Sequence, residues 1–465
     1  MESLSGLDAA FLAAETNTMP LNVGGILVFD KGKLSEIESY DRILRLFAAR
    51  IHQMPHFRKR VVKAPFGLVE PYWVEDLAFS VSSHIHLAFP NEEVDFAQVY
   101  EFAASVLGER LDRSRPLWDL FVIPRVTKNR LVVIAKLHHA LTDGISGMEA
   151  LASMFDLTEA FDLNIQPEAH APEDPPSQVE VATRTVMDLA EHALSSMSSG
   201  FTAARELPNT LAGSSTEAAL KMAGDLLLRP KRTGATGSIS ASRKIVAEYF
   251  ELDEVKSVAR SSGVKVNDVL LTLSHGAFVS YLKAHGLDLP DRLIVMVPVS
   301  VHQESGDRSS KNKVSALFLT IPTEYDDPKT LLMEIHEITE RAKAIHVGIG
   351  SMFFYNLAEV IPPVLLETVF RTISKTEMFK VVPPPFNYVV SNIPGPDVDL
   401  FLAGNRLEKV IPVAPVADGS GITFAYLSYK GAISLGLVVD PELFTHAYEF
   451  NELITKILRE LLTIG

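Results

Sequence analysis

Apolar positions in the first part of the chain repeat with the periods of short strands and amphipathic helices. The β-branched-rich run Val23–Phe29 predicts a strand. Helical spacing of apolar residues follows over Ile37–Ile51, and a second helix is predicted at about Phe96–Leu111. A polar turn separates the apolar runs Leu117–Val122 and Leu131–Leu137, so this pair predicts a hairpin.

The same mixture of elements returns from Lys244 onward. Val266–Lys283 has the apolar spacing and the length of a helix. Apolar runs of strand length predict strands at Ile294–Val301, Ala316–Pro322, Tyr388–Ser391 and Ile433–Val439. Both halves of the chain therefore mix strands with helices and are of similar size.

A segment of different composition, residues 166–243, separates these halves. Prolines lie among acidic residues at its start, and Ser- and Ala-rich stretches follow. The segment has too few large apolar residues to build a core, which indicates a linker with some helix. The chain is therefore predicted to be an α/β (α+β) protein with two mixed-sheet subdomains, residues 1–165 and 244–465.

The composition narrows the class of protein. Hydrophobic residues make up 47% of the 465 positions, which is enough for substantial cores and excludes a wholly disordered chain. The net charge of −15 would repel phosphate backbones, so we expect no nucleic-acid partner. Cysteine is absent, which excludes disulfides and thiolate nucleophiles. Because we find neither a secretory signal nor a long apolar span, we expect a soluble or peripheral membrane protein.

The clearest candidate for chemistry is the point where the predicted strand at Leu131–Leu137 ends. Two adjacent histidines, His138 and His139, are followed by Asp143 and Gly144. Histidine exchanges a proton near neutral pH, a carboxylate on the same turn can orient its ring, and glycine permits a sharp bend. A capped turn and a metal site are the alternatives. Since a third ligand and cysteine are missing nearby, we expect no metal.

Further segments accompany this one along the chain. They are Leu4–Phe11 with Glu15, Ser114–Trp118, Val266–Leu270 and Ser391–Pro396. Together with the HHxxxDG pattern of residues 138–144, they resemble the signature segments of the bacterial wax ester synthase/diacylglycerol acyltransferase family. The resemblance covers nearly the whole chain in the family's order. It implies two chloramphenicol-acetyltransferase-like halves with a central tunnel, where acyl-CoA and a lipid alcohol meet at His139.

Three residues of the second half are candidates for binding substrate or shaping the tunnel. Asn267 and Asp268 precede an apolar run, where they could equally cap a helix. Asn392 lies before Ile-Pro-Gly-Pro, a turn whose backbone is fixed by its prolines and glycine. The resemblance implies that this turn lies close to the tunnel.

The residues favour direct transfer of the acyl group over a covalent acyl-enzyme. Cysteine is absent, and the nearest approach to a Gly-x-Ser-x-Gly elbow, at residues 144–148, lacks its last glycine. We expect His139 to act as the general base on the acceptor hydroxyl, Asp143 to orient the turn, and His138 to pack at the strand end. No cofactor is expected, because acyl-CoA is a substrate.

The acceptor is expected to be diacylglycerol, which gives triacylglycerol as the product. A wax ester synthase that uses long-chain alcohols is the first alternative. A catalytically silent lipid-binding or lipid-droplet protein on the same fold is the second, although a binder would not need a base at residue 139.

Two segments suggest contact with a membrane. Apolar residues crowd positions 352–370, and the basic residues Arg229, Lys231 and Arg232 follow three leucines. Such a pattern suits an interfacial contact, although an apolar stripe more often packs in a core and the basic residues could instead hold the phosphates of CoA. The expected location is cytoplasmic, in peripheral contact with the inner membrane face or with lipid droplets.

Overall fold

A computed structural model describes most of the chain. The described residues are 1–32, 34–141, 153–162, 165–166, 174, 176–189, 231–301, 313–349 and 361–463. Asp143, Gly144, Arg229 and the first part of the apolar segment, residues 352–360, lie outside them.

The first half contains the predicted strands and helices, together with further elements that the sequence pattern had not indicated. Strands β1 to β7 are Glu2–Ser3, Asn22–Asp30, Lys59–Val62, Tyr72–Glu75, Ile85–Leu87, Trp118–Val126 and Arg130–His138. Helices α1 to α3 are Gly6–Ala14, Glu36–Arg50 and Phe96–Gly108. The elements that were not indicated are β1, β3, β4, β5 and α1. The predicted hairpin is confirmed, because β6 pairs antiparallel with β7.

The second half also contains the predicted strands and the predicted long helix. Strands β8 to β15 are Lys244–Glu251, Arg292–Val301, Lys313–Pro322, Tyr388–Ile393, Phe401–Leu402, Asn405–Val413, Ile422–Tyr429 and Ala432–Val439. Helices α4 to α8 are Leu252–Ser262, Val266–Ala284, Pro328–Ile349, Pro363–Lys375 and Glu449–Thr463. The pattern had named no strand at β8, β12, β13 or β14 and no helix at α4, α6, α7 or α8.

The strands form two six-stranded sheets and a small third sheet. The first has the order β12-β13-β2-β7-β6-β5, and the second has the order β10-β9-β11-β14-β15-β8. Strands β1, β4 and β3 form the third sheet.

The chain crosses from the second half back into the first sheet. Strand β13 pairs antiparallel with β2, from Arg406 opposite Asp30 to Val413 opposite Gly24. Residues 401–413 therefore belong to the first sheet, and a boundary at residue 244 does not separate the two sheets. Apolar periodicity indicates that a strand exists, but not which strand it pairs with, so the sequence could not predict this crossover.

The two large sheets approach closely where β15 passes β13. A Cβ atom at Gly436 would lie 1.7 Å from the carbonyl oxygen of Pro412, so any larger residue would displace the backbone there. The contact holds the strand that crosses over against the second sheet.

Alternation along β7 determines which side of the sheet each residue faces. Leu131, Val133, Ala135 and Leu137 pack into an apolar cluster with α2, whereas Val132 and Ile134 pack into a cluster with α3. His138 continues the second series at the end of the strand. The fold therefore directs its ring toward the α3 side of the sheet, where it is fully buried.

Part of the predicted linker is helical, as the sequence indicated. Residues 178–189 form a helix, and Val181 packs in an apolar cluster with Tyr72 of β4. The Tyr72 hydroxyl donates a hydrogen bond of 2.9 Å to Asp188. Among the helices in the described ranges, we find none with the length and apolar character needed to cross a membrane.

Candidate active site

The two histidines lie at the end of β7, beside the start of β2. His138 is the last residue of the strand and lies opposite Asn22, and the backbone N–H of His139 donates to the carbonyl of Leu21 at 3.0 Å. Leu21 has a φ of 52°, a left-handed conformation that is rare for a bulky side chain. This unusual backbone extends the pairing of β2 with β7 by one residue, as far as His139.

His138 is held as a neutral ring in the interior. Its Nδ1 accepts a hydrogen bond of 3.0 Å from the backbone N–H of Ala140, so the ring proton is on Nε2. Burial lowers the pKa of His138 to about 3, and the nearby charge of Arg113 contributes to this shift. A ring that is fully buried and that takes a proton only in strong acid is unsuited to accept one from a substrate.

His139 is half-buried, and its ring stacks on an aromatic side chain of the N-terminal helix. The centroids of the Phe11 and His139 rings are 3.9 Å apart, and their planes are inclined by 22°. Phe11 belongs to the N-terminal signature segment, for which the sequence analysis gave no role. The structure brings this segment directly onto the candidate base.

A buried ion-pair cluster anchors the N-terminal segment that carries Phe11. The Glu15 side chain is fully shielded from solvent and lies 3.0 Å from Arg110 and in hydrogen-bonding contact with Arg113. Arg113 also donates to the carbonyl of Leu12 at 2.6 Å, which ties it to the end of α1. A carboxylate without these partners would be costly to bury, so the cluster fixes the position of α1 beside the histidines.

The segment Ser114–Trp118 supports the histidines from the neighbouring strand. The backbone N–H of His138 donates to the carbonyl of Leu117 at 3.0 Å. Trp118 is buried, and its indole N–H donates to the carbonyl of Phe57 at 2.7 Å. This tryptophan packs in the core, as its size and its position at a strand start indicated.

Asp268 lies inside the protein and links two helices. Its side chain is fully buried in the first turn of α5 and accepts a hydrogen bond of 3.0 Å from the backbone N–H of Lys265. His336 and Thr339 of α6 each lie 2.8 Å from its carboxylate oxygens. Asp268 thus satisfies donors at the start of α5 and on α6, in agreement with the helix-capping alternative.

The side chains of Asn267 and Asn392, which belong to different signature segments of the second half, contact each other. The side-chain amide of Asn392 donates to the side-chain oxygen of Asn267 at 2.6 Å. Ile393, the next residue, packs against the same apolar cluster as Leu141, two residues after His139. Two signature segments of the second half are therefore joined to each other, and one of them adjoins the core of the histidine segment.

The turn after Asn392 needs its glycine for a close approach. A Cβ atom at Gly395 would lie 2.1 Å from the carbonyl oxygen of Ser428 on β14. Glycine at this position lets the chain run against β14 before it crosses into the first sheet. The sequence pattern thus reflects a steric requirement as well as a turn.

The basic residues Lys231 and Arg232 have other partners among the described residues. Lys231 forms an ion pair of 2.7 Å with Asp291, and Arg232 donates to the carbonyl of Thr236 at 3.3 Å. Whether these residues bind CoA or a membrane stays a prediction. The roles of Asp143 and Gly144 also stay predictions, since both residues lie outside the described part of the chain.

Comparison with known protein families identifies the chain. Residues 4–270 match the model of the wax ester synthase/diacylglycerol acyltransferase catalytic domain, and residues 311–462 match that of the WS/DGAT C-terminal domain. The chain belongs to the wax ester synthase/diacylglycerol acyltransferase family. It is an acyltransferase of this type, and the resemblance found in its sequence segments is confirmed.

Relatives of the family resemble this acyltransferase along nearly its full length. A putative diacylglycerol O-acyltransferase of Mycobacterium tuberculosis is 28% identical, over 99% of this chain and 90% of the relative. A second, probable diacylglycerol O-acyltransferase of the same organism is 28% identical, over 100% of this chain and 96% of the relative. The O-acyltransferase WSD of Acinetobacter baylyi is 26% identical, over 94% of this chain and 92% of the relative.

Solved structures share the fold. The wax ester synthase/diacylglycerol acyltransferase of Marinobacter aquaeolei has a TM-score of 0.69 at 20% identity, over 99% of this chain and 98% of that one. The first condensation domain of the CDA synthetase has a TM-score of 0.60 at 12% identity, over 99% of this chain and 95% of that one. The predicted fold class, an α/β protein with two mixed-sheet subdomains, is confirmed.

The contacts of Asp268 lead to a prediction about stability. Asp268→Asn keeps the size of the side chain but replaces one carboxylate oxygen with an N–H₂ group. That group would face one of the three donors that now bind the carboxylate, so we expect the free energy of unfolding to fall by about 1–3 kcal/mol. The exposed neighbour provides a matched control, because Asn267→Ala should change it by less than about 0.5 kcal/mol. Urea unfolding followed by circular dichroism measures both. Equal stability of the two variants would contradict the structural role of Asp268.

Proposed function

We propose that this acyltransferase transfers a long-chain acyl group from acyl-CoA to diacylglycerol, with His139 as the general base. The observation that carries the proposal is the contrast between the two histidines of a family signature. His138 is buried, neutral and bonded to the backbone, whereas His139 is half-buried and held by a backbone hydrogen bond and an aromatic ring.

The proposed reaction is a direct transfer. His139 takes the proton of the acceptor hydroxyl as the oxygen attacks the thioester carbonyl and a C–O bond forms. Collapse of the tetrahedral intermediate breaks the C–S bond, and the imidazolium returns the proton to the departing CoA thiolate. Base catalysis of this kind contributes roughly 10²- to 10⁴-fold, and positioning of the substrates and stabilisation of the oxyanion supply the rest.

The other signature residues act on geometry in this proposal. Asp143 orients the turn that carries His139. The Asn267–Asn392 pair, with its hydrogen bond of 2.6 Å, shapes the wall where acyl-CoA and the alcohol meet, and buried Asp268 supports that wall from inside.

Diacylglycerol is favoured as the acceptor because the two mycobacterial relatives are named diacylglycerol O-acyltransferases, and their similarity to this chain extends over nearly their whole length. A long-chain alcohol is the second candidate, favoured by the similarity to the O-acyltransferase WSD. Membership of an acyltransferase family weighs against the catalytically silent lipid binder.

The acceptor experiment tests the function directly. Purified protein supplied with palmitoyl-CoA should release CoA rapidly when dipalmitoylglycerol is present and more slowly with hexadecanol. Thiol release measured with a colorimetric reagent gives both rates, and a reaction without any alcohol corrects for hydrolysis. Faster release with hexadecanol would favour the wax ester reaction, and release that never depends on an alcohol would refute transfer.

Substitution of each histidine tests the assignment of the base. His139→Ala should lower kcat by at least about 10²-fold, because it removes the proton acceptor. His138→Ala should retain more of the activity per folded molecule but lower the melting temperature, because it leaves a cavity beside the backbone N–H of Ala140. Equal kcat values in the two variants, with circular dichroism unchanged, would contradict the assignment.

The stacked ring predicts a positioning role for Phe11. Phe11→Ala would let the His139 ring turn away from the substrate, and we expect kcat to fall about tenfold while the KM for acyl-CoA changes little. Phe11→Tyr keeps the stack and should restore most of the rate, whereas Phe11→Leu fills the space without stacking. A variant series in which only KM changes would show that Phe11 serves substrate binding instead.

A further inference from the structure

The end of the predicted linker lies against the loop that leads to the histidines. Residues 239–243, directly before β8, form neither helix nor strand, and we name them the bridge segment. Ile239 is buried and packs in a small apolar cluster with Leu21. Phe11, whose ring stacks on that of His139, packs against the same cluster. The bridge segment therefore belongs to the surroundings of the candidate base, although its sequence indicated only a linker.

Two carboxylates of the second half hold the bridge segment. The backbone N–H of Ile239 donates to the side chain of Asp418 at 3.0 Å, and the backbone N–H of Ser240 donates to the side chain of Asp440. The Asp440 side chain is fully buried and also accepts from the backbone N–H of Glu442 at 2.8 Å. Because buried carboxylates need such donors, these bonds attach the bridge segment firmly to the second half.

Arg243 connects the bridge segment to the first half. Its side chain is 6% exposed, and its guanidinium donates to the carbonyl oxygen of Thr18 in the loop between α1 and β2. It also donates to the carbonyl oxygens of Ser240 and Ser242, at 2.8 Å and 2.6 Å. The carboxylate of Asp440 lies 3.9 Å away. Since a guanidinium presents its donors in a fixed plane, Arg243 sets the position of Thr18 relative to the second half.

The loop needs this support because the backbone of Leu21 is strained. Its φ of 52° lies in the left-handed region, and such a conformation of a bulky residue persists only where the surrounding structure imposes it. The Leu21 side chain is buried against Ile239. Before it in the loop, Thr18 is bonded to Arg243, and after it the Asn22 side chain donates to two carbonyl oxygens at the end of α3. Contacts on both sides therefore hold Leu21 in this conformation.

We propose that the bridge segment positions the candidate base, with Arg243 as its principal positioning residue. Arg243 holds the loop at Thr18 and thereby keeps Leu21 in the left-handed conformation. The carbonyl oxygen of Leu21 accepts the hydrogen bond of 3.0 Å from the backbone N–H of His139. The second half of the chain thus sets where the ring of His139 stands relative to the substrates. This role rests on the proposed function, in which His139 is the base.

The kinetics of two substitutions test this role. Arg243→Met keeps the apolar stem but removes every donor, so kcat should fall at least about tenfold while the KM for acyl-CoA stays within about twofold. Arg243→Lys keeps the positive charge beside Asp440 with a single donor group, and it should recover part of the lost rate. A raised KM with an unchanged kcat would show that Arg243 serves substrate binding, and the proposal would be wrong.

Arg130 provides a matched control on the strand that carries His138. It lies at the opposite end of β7, donates to the carbonyl oxygen of Lys128 at 2.6 Å and forms an ion pair with Glu408. Arg130→Met therefore loses the same kinds of bonds, and its kcat should stay within about twofold of the wild-type value. Equal losses of kcat in Arg130→Met and Arg243→Met would contradict a specific role of the bridge segment.

Hydrogen exchange measures the geometry without any need for activity. Because the backbone N–H of His139 donates to Leu21, its exchange should be at least about tenfold faster in Arg243→Met. The amides of Val132 and Ile134, in the middle of β7, should exchange as in the wild type. Mass spectrometry of overlapping peptides gives these rates. Wild-type exchange at His139 in a folded Arg243→Met protein would overturn the proposal.

A milder variant carries the test if Arg243→Met does not fold. Ile239→Ala shortens the side chain that packs with Leu21 and leaves the polar contacts in place, so kcat should fall about threefold and exchange at His139 should rise. No change in either quantity would refute the role of the bridge segment. A wild-type protein without any transferase activity would refute the proposed function, whereas the exchange rates would still decide whether the bridge segment holds the loop.

Discussion

The pairing of β13 with β2 is the constraint on which the arrangement of this acyltransferase depends. Residues 401–413 lie in sequence between β11 and β14 of the second sheet, yet they complete the first sheet through the antiparallel register from Arg406 to Val413. Gly436 then allows β15 to pass within contact distance of Pro412, which lies on β13. Hydrogen bonds on one side and a close steric approach on the other fix the two halves relative to each other. The first half of the chain cannot separate from residues 405–413 without breaking the backbone pairing of β2 with β13.

The candidate active site lies along the same strand. β2, which accepts β13 on one edge, pairs with β7 on the other and thereby places Leu21 beside His139. The segment before β12 carries Asn392, which bonds to Asn267 of the second half. A single crossover of the chain thus relates signature segments that are more than a hundred residues apart.

Several signature residues of the family act here as supports. Burial keeps His138 neutral with a pKa of about 3, Asp268 satisfies donors on two helices, and Glu15 ties the N-terminal helix to Arg113. Each is a polar group that would be costly to bury without partners. Asp268 and Glu15 have theirs in neighbouring elements, and His138 accepts from the backbone N–H of Ala140, two residues further along the chain. Together they hold His139 and Phe11 in a defined relation. We infer that the family signature contains residues that maintain the structure around the site as well as residues that take part in the reaction.

The sequence by itself determined part of the local elements, the mixed α/β class, the two halves and the importance of the segment around His139. These follow from apolar periodicity and from residue chemistry, which act over a few positions. Only the tertiary structure decided that residues 401–413 enter the first sheet, that Asp268 faces inward, and that Phe11 covers His139. Each of these depends on contacts between residues far apart in the chain. A periodic pattern specifies the face of the helix or strand on which a residue lies. Packing of the whole molecule determines which other element that face contacts.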